Sequence, residues 1–304
     1  MTNTTKPSIN HSGFINAVSA YLLWGFAPIY FKLLADISAD EILMHRVIWS
    51  SLFLFFMVVT MKKSALFIEL CRQPKVIASL MLSTTFLAVN WFLFIWAVNN
   101  DHLLDASLGY YINPLFNVIL GVIFFQERLR RYQLVAVALA AIGVLIQLIT
   151  LGSLPIISLG LASTFAIYGL LRKKMHLDSF VGLFIESLLM LPLALGYWLF
   201  FVDSSTSDFF INSTNLNFTL IMLGLVTTAP LLCFTAAAKR LDLSTLGFFQ
   251  YIGPSIMFLL AIFYYDEQIK PTELITFVFI WTALALYSFD SLVKRKGKAV
   301  KIKN

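Results

Sequence analysis

Charge is what this chain of 304 residues is short of. Asp, Glu, Lys and Arg make up 12% of it, where an ordinary soluble domain carries about 25%. Apolar residues make up 59% and the mean hydropathy is +0.84, which leaves too little polar sequence to coat a water-soluble globule of this size. Cysteine is equally scarce, and Cys71 and Cys233 alone build neither a disulfide framework nor a cysteine zinc site. The four histidines, His11, His45, His102 and His176, share no metal-ligand spacing, and no glycine-rich phosphate loop precedes a helix. No metal or cofactor is therefore expected. Nor is an enzyme, since acids and histidines do not gather near one headgroup plane. A sensor or scaffold fits no better, because no segment is left over for a soluble output domain.

Apolar runs are what the chain has in quantity. A helix needs about 20 residues to cross a hydrocarbon core of about 30 Å. Ten stretches qualify: Gly13 to Leu34, Glu41 to Met61, Val76 to Val98, Leu103 to Phe125, Tyr132 to Ile149, Leu154 to Leu171, Phe180 to Phe201, Leu216 to Ala238, Leu243 to Tyr265 and Thr272 to Val293. A transmembrane β-barrel alternates polarity along segments of about ten residues, whereas Leu52 to Val59 is apolar on every side. The expected fold is all-α, with ten transmembrane helices.

Basic residues orient these spans, because Lys and Arg collect in cytoplasmic loops. With the N-terminus in the cytoplasm, 19 of the 22 basic residues fall on that side, among them Arg172, Lys173 and Lys174 after the sixth span and six in the tail after Val293. Lys270 alone falls opposite, and Lys32 and Arg46 lie inside spans. A missed or spurious span would scramble that asymmetry. Both termini are therefore expected to be cytoplasmic. The net charge of +6 is accounted for by orientation and by a basic tail lying against anionic headgroups, so the lipid bilayer is the expected partner and nucleic acid is not.

One internal match stands out at an interval of 140 residues. Tyr111-Ile112-Asn113-Pro114 recurs as Tyr251-Ile252-Gly253-Pro254, and the following runs end in Gln126-Glu127-Arg128-Leu129 and Asp266-Glu267-Gln268-Ile269. Two five-helix units follow from this, residues 13–149 and 154–293, flanked by a tail at 1–12 and a basic tail at 294–304. Five is odd, so the second unit enters the membrane from the other face. Inverted halves that exchange shapes open a midplane site to alternate sides, which is how many secondary transporters work. Pro114 and Pro254 each remove a backbone hydrogen bond inside an apolar run, and with Pro28 and Gly25 they mark expected bends.

Ionisable groups inside the spans are costly and usually face a cavity or a partner. Glu186 lies about 9 Å into the seventh span at 1.5 Å per residue, where it serves either as a proton site for coupling or as a structural partner of Arg46. Arg46 occupies the matching position in the first unit; its guanidinium can reach a carboxylate or a substrate anion, or snorkel to the outer headgroups. Lys32, close to the end of the first span, faces the same alternatives. The neutral cavity candidates are Trp24, Tyr30, Asn90, Trp91, Trp96, Tyr110, Tyr111, Asn113, Tyr168, Gln250 and Tyr251. Flat apolar faces with a few polar atoms suit amphipathic or aromatic solutes of moderate size. Ala136, Ala140, Ala141 and Gly143 make a small-residue face for close helix approach, either within the chain or between protomers of a homo-oligomer.

The stretches YLLWGFAPIYFKLL from Tyr21, EILMHRVIWS from Glu41, NWFLFIWAVNN from Asn90 and SLGYYINPLFNVILG from Ser107 resemble the RarD branch of the EamA-type permeases in the drug/metabolite transporter superfamily. That resemblance covers almost the whole chain. It implies a secondary transporter of the bacterial inner membrane that exports small organic solutes such as amino acids, metabolites or drugs, but it hands over no set of site residues. A passive facilitator or channel is the alternative within transport.

Overall fold

The computed structural model describes residues 11–100, 102–151, 156–201, 208–264 and 271–300. Twelve α-helices follow one another among them: α1 (His11–Phe31), α2 (Ala39–Thr60), α3 (Ser64–Cys71), α4 (Pro74–Asn99), α5 (Leu103–Phe125), α6 (Arg131–Leu151), α7 (Ile156–Met175), α8 (Ser179–Phe201), α9 (Thr214–Ala238), α10 (Leu243–Gln250), α11 (Ile252–Phe263) and α12 (Pro271–Val300). Among the described residues ten segments are long and apolar enough to cross a membrane, with α10 and α11 counted as one. The reason for helix is the solvent. In hydrocarbon every backbone polar group must find a partner inside the protein, and a helix supplies those partners within its own segment.

The packing is inside out relative to a soluble protein. Glu186, Asn117 and Asn113 are 1–2% exposed, while Phe200 and Ile149 are 80% exposed or more. Close crossings are made at small residues. Gly224 on α9 lies so near the Trp49 backbone of α2 that an added Cβ would stand 2.5 Å from it, and Ser50 Oγ donates to the Gly224 carbonyl at 3.2 Å. Gly25 on α1 meets Ile256 on α11, and Gly109 on α5 meets α7 at Ser158 and Leu161. Gly143 meets Phe279 and Thr276 of α12, and Ala136 and Ala140 are buried in the cluster that includes Ile280 and Ala283. The small-residue face of α6 is thus covered within the chain.

Several local features depart from the expected outline. The connection between the second and third spans contains a helix, α3, that a purely polar break does not predict. The ninth span is interrupted at Tyr251, just before Pro254, as the proline rule anticipates. Helix runs unbroken through Pro28 in α1 and Pro114 in α5, so those prolines do not divide their spans. α12 continues to Val300 through the basic stretch that the sequence reading set apart as a tail. The repeat partner Asp266-Glu267-Gln268-Ile269 lies outside the described residues.

Candidate functional site

Two polar seams run through the bundle, where the sequence suggested one. The first is charged and lies between α2, α4, α7, α8 and α9. Glu186 on α8, 1% exposed, accepts a hydrogen bond from Ser83 Oγ at 2.6 Å and one from the Tyr168 hydroxyl at 3.3 Å. Its counter-ion is Arg172, with Nη1 3.5 Å from Oε1. This corrects two expectations. Glu186 is not partnered by Arg46, and Arg172 is not a cytoplasmic loop residue: it belongs to α7 and is 4% exposed. The charge at the end of an apolar run resembles a loop signal, but the next turn of helix carries it back under α8, where Gly182 leaves room for the guanidinium.

Arg46 is held differently. Its Nε donates to Thr227 Oγ1 at 2.9 Å, and its guanidinium stands 4.9 Å from the ring centroid of Trp91 and 5.7 Å from that of Phe31. Thr227 sits halfway along α9, so the side chain reaches into the bundle and does not snorkel outward. Arg46 and Glu186, at matching positions of the two units, are bonded alike. Each meets a hydroxyl, Thr227 on α9 and Ser83 on α4, and those two are separated by nearly the same interval.

Beside Glu186 is a cavity of about 20 Å³ lined by α2, α4, α8 and α9, whose walls include Ser50, Ser187, Thr228 and the two residues that hold Arg46, Trp91 and Thr227. That volume admits a water, whereas organic ligands occupy about 300–1,000 Å³. The seam is drawn shut around its charges, and a solute enters only if these helices part. Among the described residues, several polar atoms in and beside it have no hydrogen-bond partner, Thr228 Oγ1, Thr84 Oγ1 and Arg172 Nε, and Arg172 Nη1 has only its 3.5 Å approach to Glu186. Asn90, expected at the cavity, instead ties α4 to α7 through the Leu161 carbonyl at 2.8 Å and Thr164 Oγ1 at 3.0 Å.

The second seam is made of amides, between α5, α7 and α10. Asn113 Nδ2 donates to the Ala162 carbonyl at 2.6 Å. Asn117 Nδ2 donates to Asn113 Oδ1 at 3.0 Å and to Gln250 Oε1 at 3.2 Å. Nearby, the Tyr251 hydroxyl donates to the Tyr111 carbonyl at 3.2 Å, joining the two halves of the repeated motif. Aromatic packing separates the seams: Trp24 contacts Tyr21, Phe165 and Phe234, and Tyr168 stacks on Phe234 while its hydroxyl reaches Glu186. Trp24 is thus a packing residue here, and Gly25 beside it serves the helix crossing. Lys32 is exposed in the short helical turn after α1.

One end of the bundle is laced by charge. Gln126 adopts a left-handed conformation, φ 52°, a frequent way to end a helix. The turn delivers Glu127 to the start of α10, where it accepts from Leu243 N at 2.6 Å, Ser244 N at 2.9 Å and Ser244 Oγ at 2.6 Å. Lys173 Nζ lies 4.0 Å from Glu127 and donates to the Leu241 carbonyl. Lys63 pairs with Asp178 at 2.7 Å, and Arg130 with Asp290 at 3.0 Å.

With this geometry in place, likeness to known proteins decides the family. The model of the EamA-like transporter family matches twice, over residues 11–149 and again over 154–289. The chain belongs to the EamA-like transporter family. It is 53% identical over 294 residues to the protein RarD of Escherichia coli K12, covering 93% of this chain and 96% of that one. It is 52% identical over 280 residues to an uncharacterized transporter of Vibrio cholerae, covering 92% and 93%. At 32% identity over 289 residues it matches the chloramphenicol-sensitive protein RarD of Pseudomonas aeruginosa, covering 93% and 95%. A crystal structure with 16% sequence identity superposes with a TM-score of 0.69 over 90% of this chain and 96% of that one, which places the EamA-like bundle in a known fold. This EamA-like chain is a multi-pass membrane protein of a transporter family.

Proposed function

We propose that the chain is a secondary transporter that moves small organic solutes, such as amino acids, metabolites or drugs, across the bacterial inner membrane by alternating access. In this reading it is an exporter with both termini in the cytoplasm, and Glu186 binds and releases the coupling proton. The observation that carries the proposal is Glu186 itself: a carboxylate sealed in the bundle, on the wall of a cavity, beside a counter-ion whose own donors are incompletely used. A carboxylate with a loosely held partner in a low-dielectric seam has an alternative to that partner, and the smallest alternative is a proton. The two successive family matches and the like bonding of Arg46 and Glu186 support two related halves of opposite orientation. The lopsided distribution of Lys and Arg supports cytoplasmic termini.

Reconstitution of the full chain in proteoliposomes tests this, using the compounds whose levels differ between cells lacking and cells overproducing the protein. The wild type is expected to accumulate them against their gradient when a pH gradient is imposed. Glu186→Gln, at wild-type abundance in the vesicles, is expected to lose that accumulation, and Glu186→Asp to retain part of it. Accumulation that persists in Glu186→Gln overturns the proton role. Flux that only runs downhill in the wild type makes the protein a facilitator.

A further inference from the structure

The charges of the first seam do not balance. Glu186 and Arg172 neutralise each other. Arg46 has no such partner: among the described residues no carboxylate forms an ion pair with it, and its one hydrogen bond uses Nε. The titratable side chain that bears on it electrostatically is Tyr110, a phenol. The seam therefore carries one uncompensated positive charge, on a half-buried guanidinium whose two Nη nitrogens make no hydrogen bond among the described residues. A cation at bilayer depth costs about 2.5–3.5 kcal/mol even on lenient scales, and such residues usually mark a substrate or ion pathway. Packing alone does not account for keeping an arginine here.

We propose that Arg46, fixed by Thr227 and Trp91, is the recognition point for an anionic group, a carboxylate or a phosphate, on the transported solute. This deepens the transport reading and rests on it. The Thr227 bond holds Nε and the Trp91 ring supports the guanidinium, which orients the planar group while leaving its outer nitrogens for a bidentate acceptor. Arginine suits this better than lysine because its fork matches both carboxylate and phosphate oxygens. An anion that docks there brings the seam to neutrality without disturbing Glu186 and Arg172. The rest of the solute then lies along the cavity wall formed by Val47, Met190 and Leu231, so the favoured substrate is an anionic head on a modest apolar body. Neutral and cationic solutes leave the Arg46 charge unanswered.

The test compares metabolites inside and outside cells that overproduce the full chain, the Arg46→Gln variant or the Arg46→Lys variant at equal membrane abundance, with cells carrying no added protein as reference. The compounds redistributed by the wild type are expected to carry a carboxylate or a phosphate at neutral pH, and their identity separates those two sources. Arg46→Gln is expected to cut their redistribution by about tenfold or more, the range for a lost hydrogen bond to a charged group, and Arg46→Lys to retain an intermediate level. The wild-type profile needs no variant to fold. If the wild type redistributes only neutral or cationic compounds, or if Arg46→Gln moves anionic ones as well as the wild type does, the anion site is wrong while transport stands. If the wild-type profile matches that of cells with no added protein, the transport reading fails and takes the anion site with it.

Discussion

The charged seam and the amide seam belong to the same bundle, yet they are held together differently. Along Asn113, Asn117 and Gln250 each donated bond is 2.6–3.2 Å long and ends on a side chain or carbonyl of a neighbouring turn or helix. Around Glu186, the counter-ion Nη1 stands 3.5 Å away, Arg172 Nε and the hydroxyls of Thr84 and Thr228 have no hydrogen-bond partner among the described residues, and a cavity remains. Low dielectric raises the stakes of both, since an unpaired buried polar group is costly. An ion pair 3.5 Å apart beside a cavity has room to exchange partners, whereas the amides, with Asn117 Oδ1 their one orphan atom among the described residues, tie neighbouring helices directly together. In the proposed function the charged seam takes the solute and the proton, and the amide seam is a seal between α5, α7 and α10.

The largest effect that sharpens this contrast comes from removing one member of the buried pair. Arg172→Met leaves Glu186 buried without its counter-ion, either as an unpaired charge or as a carboxyl that must take up a proton, and the loss in stability is expected to be about 3–5 kcal/mol, read as thermal unfolding of the purified protein in detergent. Adding Glu186→Leu replaces both charges by apolar groups and is expected to recover most of the loss. A double variant as unstable as Arg172→Met alone breaks the assignment of Arg172 as the counter-ion. In the other seam, Asn117→Leu strips a donor from both Asn113 and Gln250 and is expected to cost about 1–3 kcal/mol. Because that seam is a seal, the dependence of transport on pH is expected to stay as in the wild type; a shifted pH profile in Asn117→Leu dissolves the distinction between the seams.

What could be read beforehand follows from what lipid enforces. Ten spans were legible because hydrocarbon demands long apolar helices, and Arg46, Trp91 and Glu186 stood out as polar or amphipathic groups within them. Arg172 was missed because a cation at the end of an apolar run satisfies the positive-inside pattern equally well as a loop residue. The signal available was its spacing of one turn from Tyr168, which puts both on one face of α7 toward Glu186. Asn117 was passed over although it lies one turn from Asn113. Ser83 carried no signal, since serine is unremarkable in a membrane helix. The division into two seams depends on how each helix is rotated about its axis, and runs apolar all round fix that rotation weakly.

The smallest expected effect lies outside both seams, at the Lys63–Asp178 contact between the end of α2 and the start of α8. Asp178 does two things there. Oδ1 accepts from the backbone N–H groups of Phe180 and Val181 at 3.1 and 3.2 Å, capping α8, and Oδ2 pairs with Lys63 at 2.7 Å. Burial opposes the charged carboxyl, but the Lys63 hydrogen bond, the Val181 N–H and the Lys63 and Lys239 charges outweigh it and hold its pKa below the usual carboxylate value. A carboxylate depressed in the folded state stabilises above its unfolded pKa, about 3.9, and loses that contribution as pH falls through the lower folded value. Asp178→Asn keeps an oxygen for the cap and removes the charge, so a loss of about 0–1 kcal/mol is expected at neutral pH for a partly exposed pair, with the difference from wild type vanishing in acid. Asp178→Ala also removes the cap and is expected to lose a further amount of about 0.5–2 kcal/mol, most of it independent of pH. Neither change reaches Glu186, so pH-driven transport should be retained in both. If instead Asp178→Asn weakens coupling, the charges at this end of the bundle are part of the proton's route, and the working region extends beyond the seam that holds Glu186.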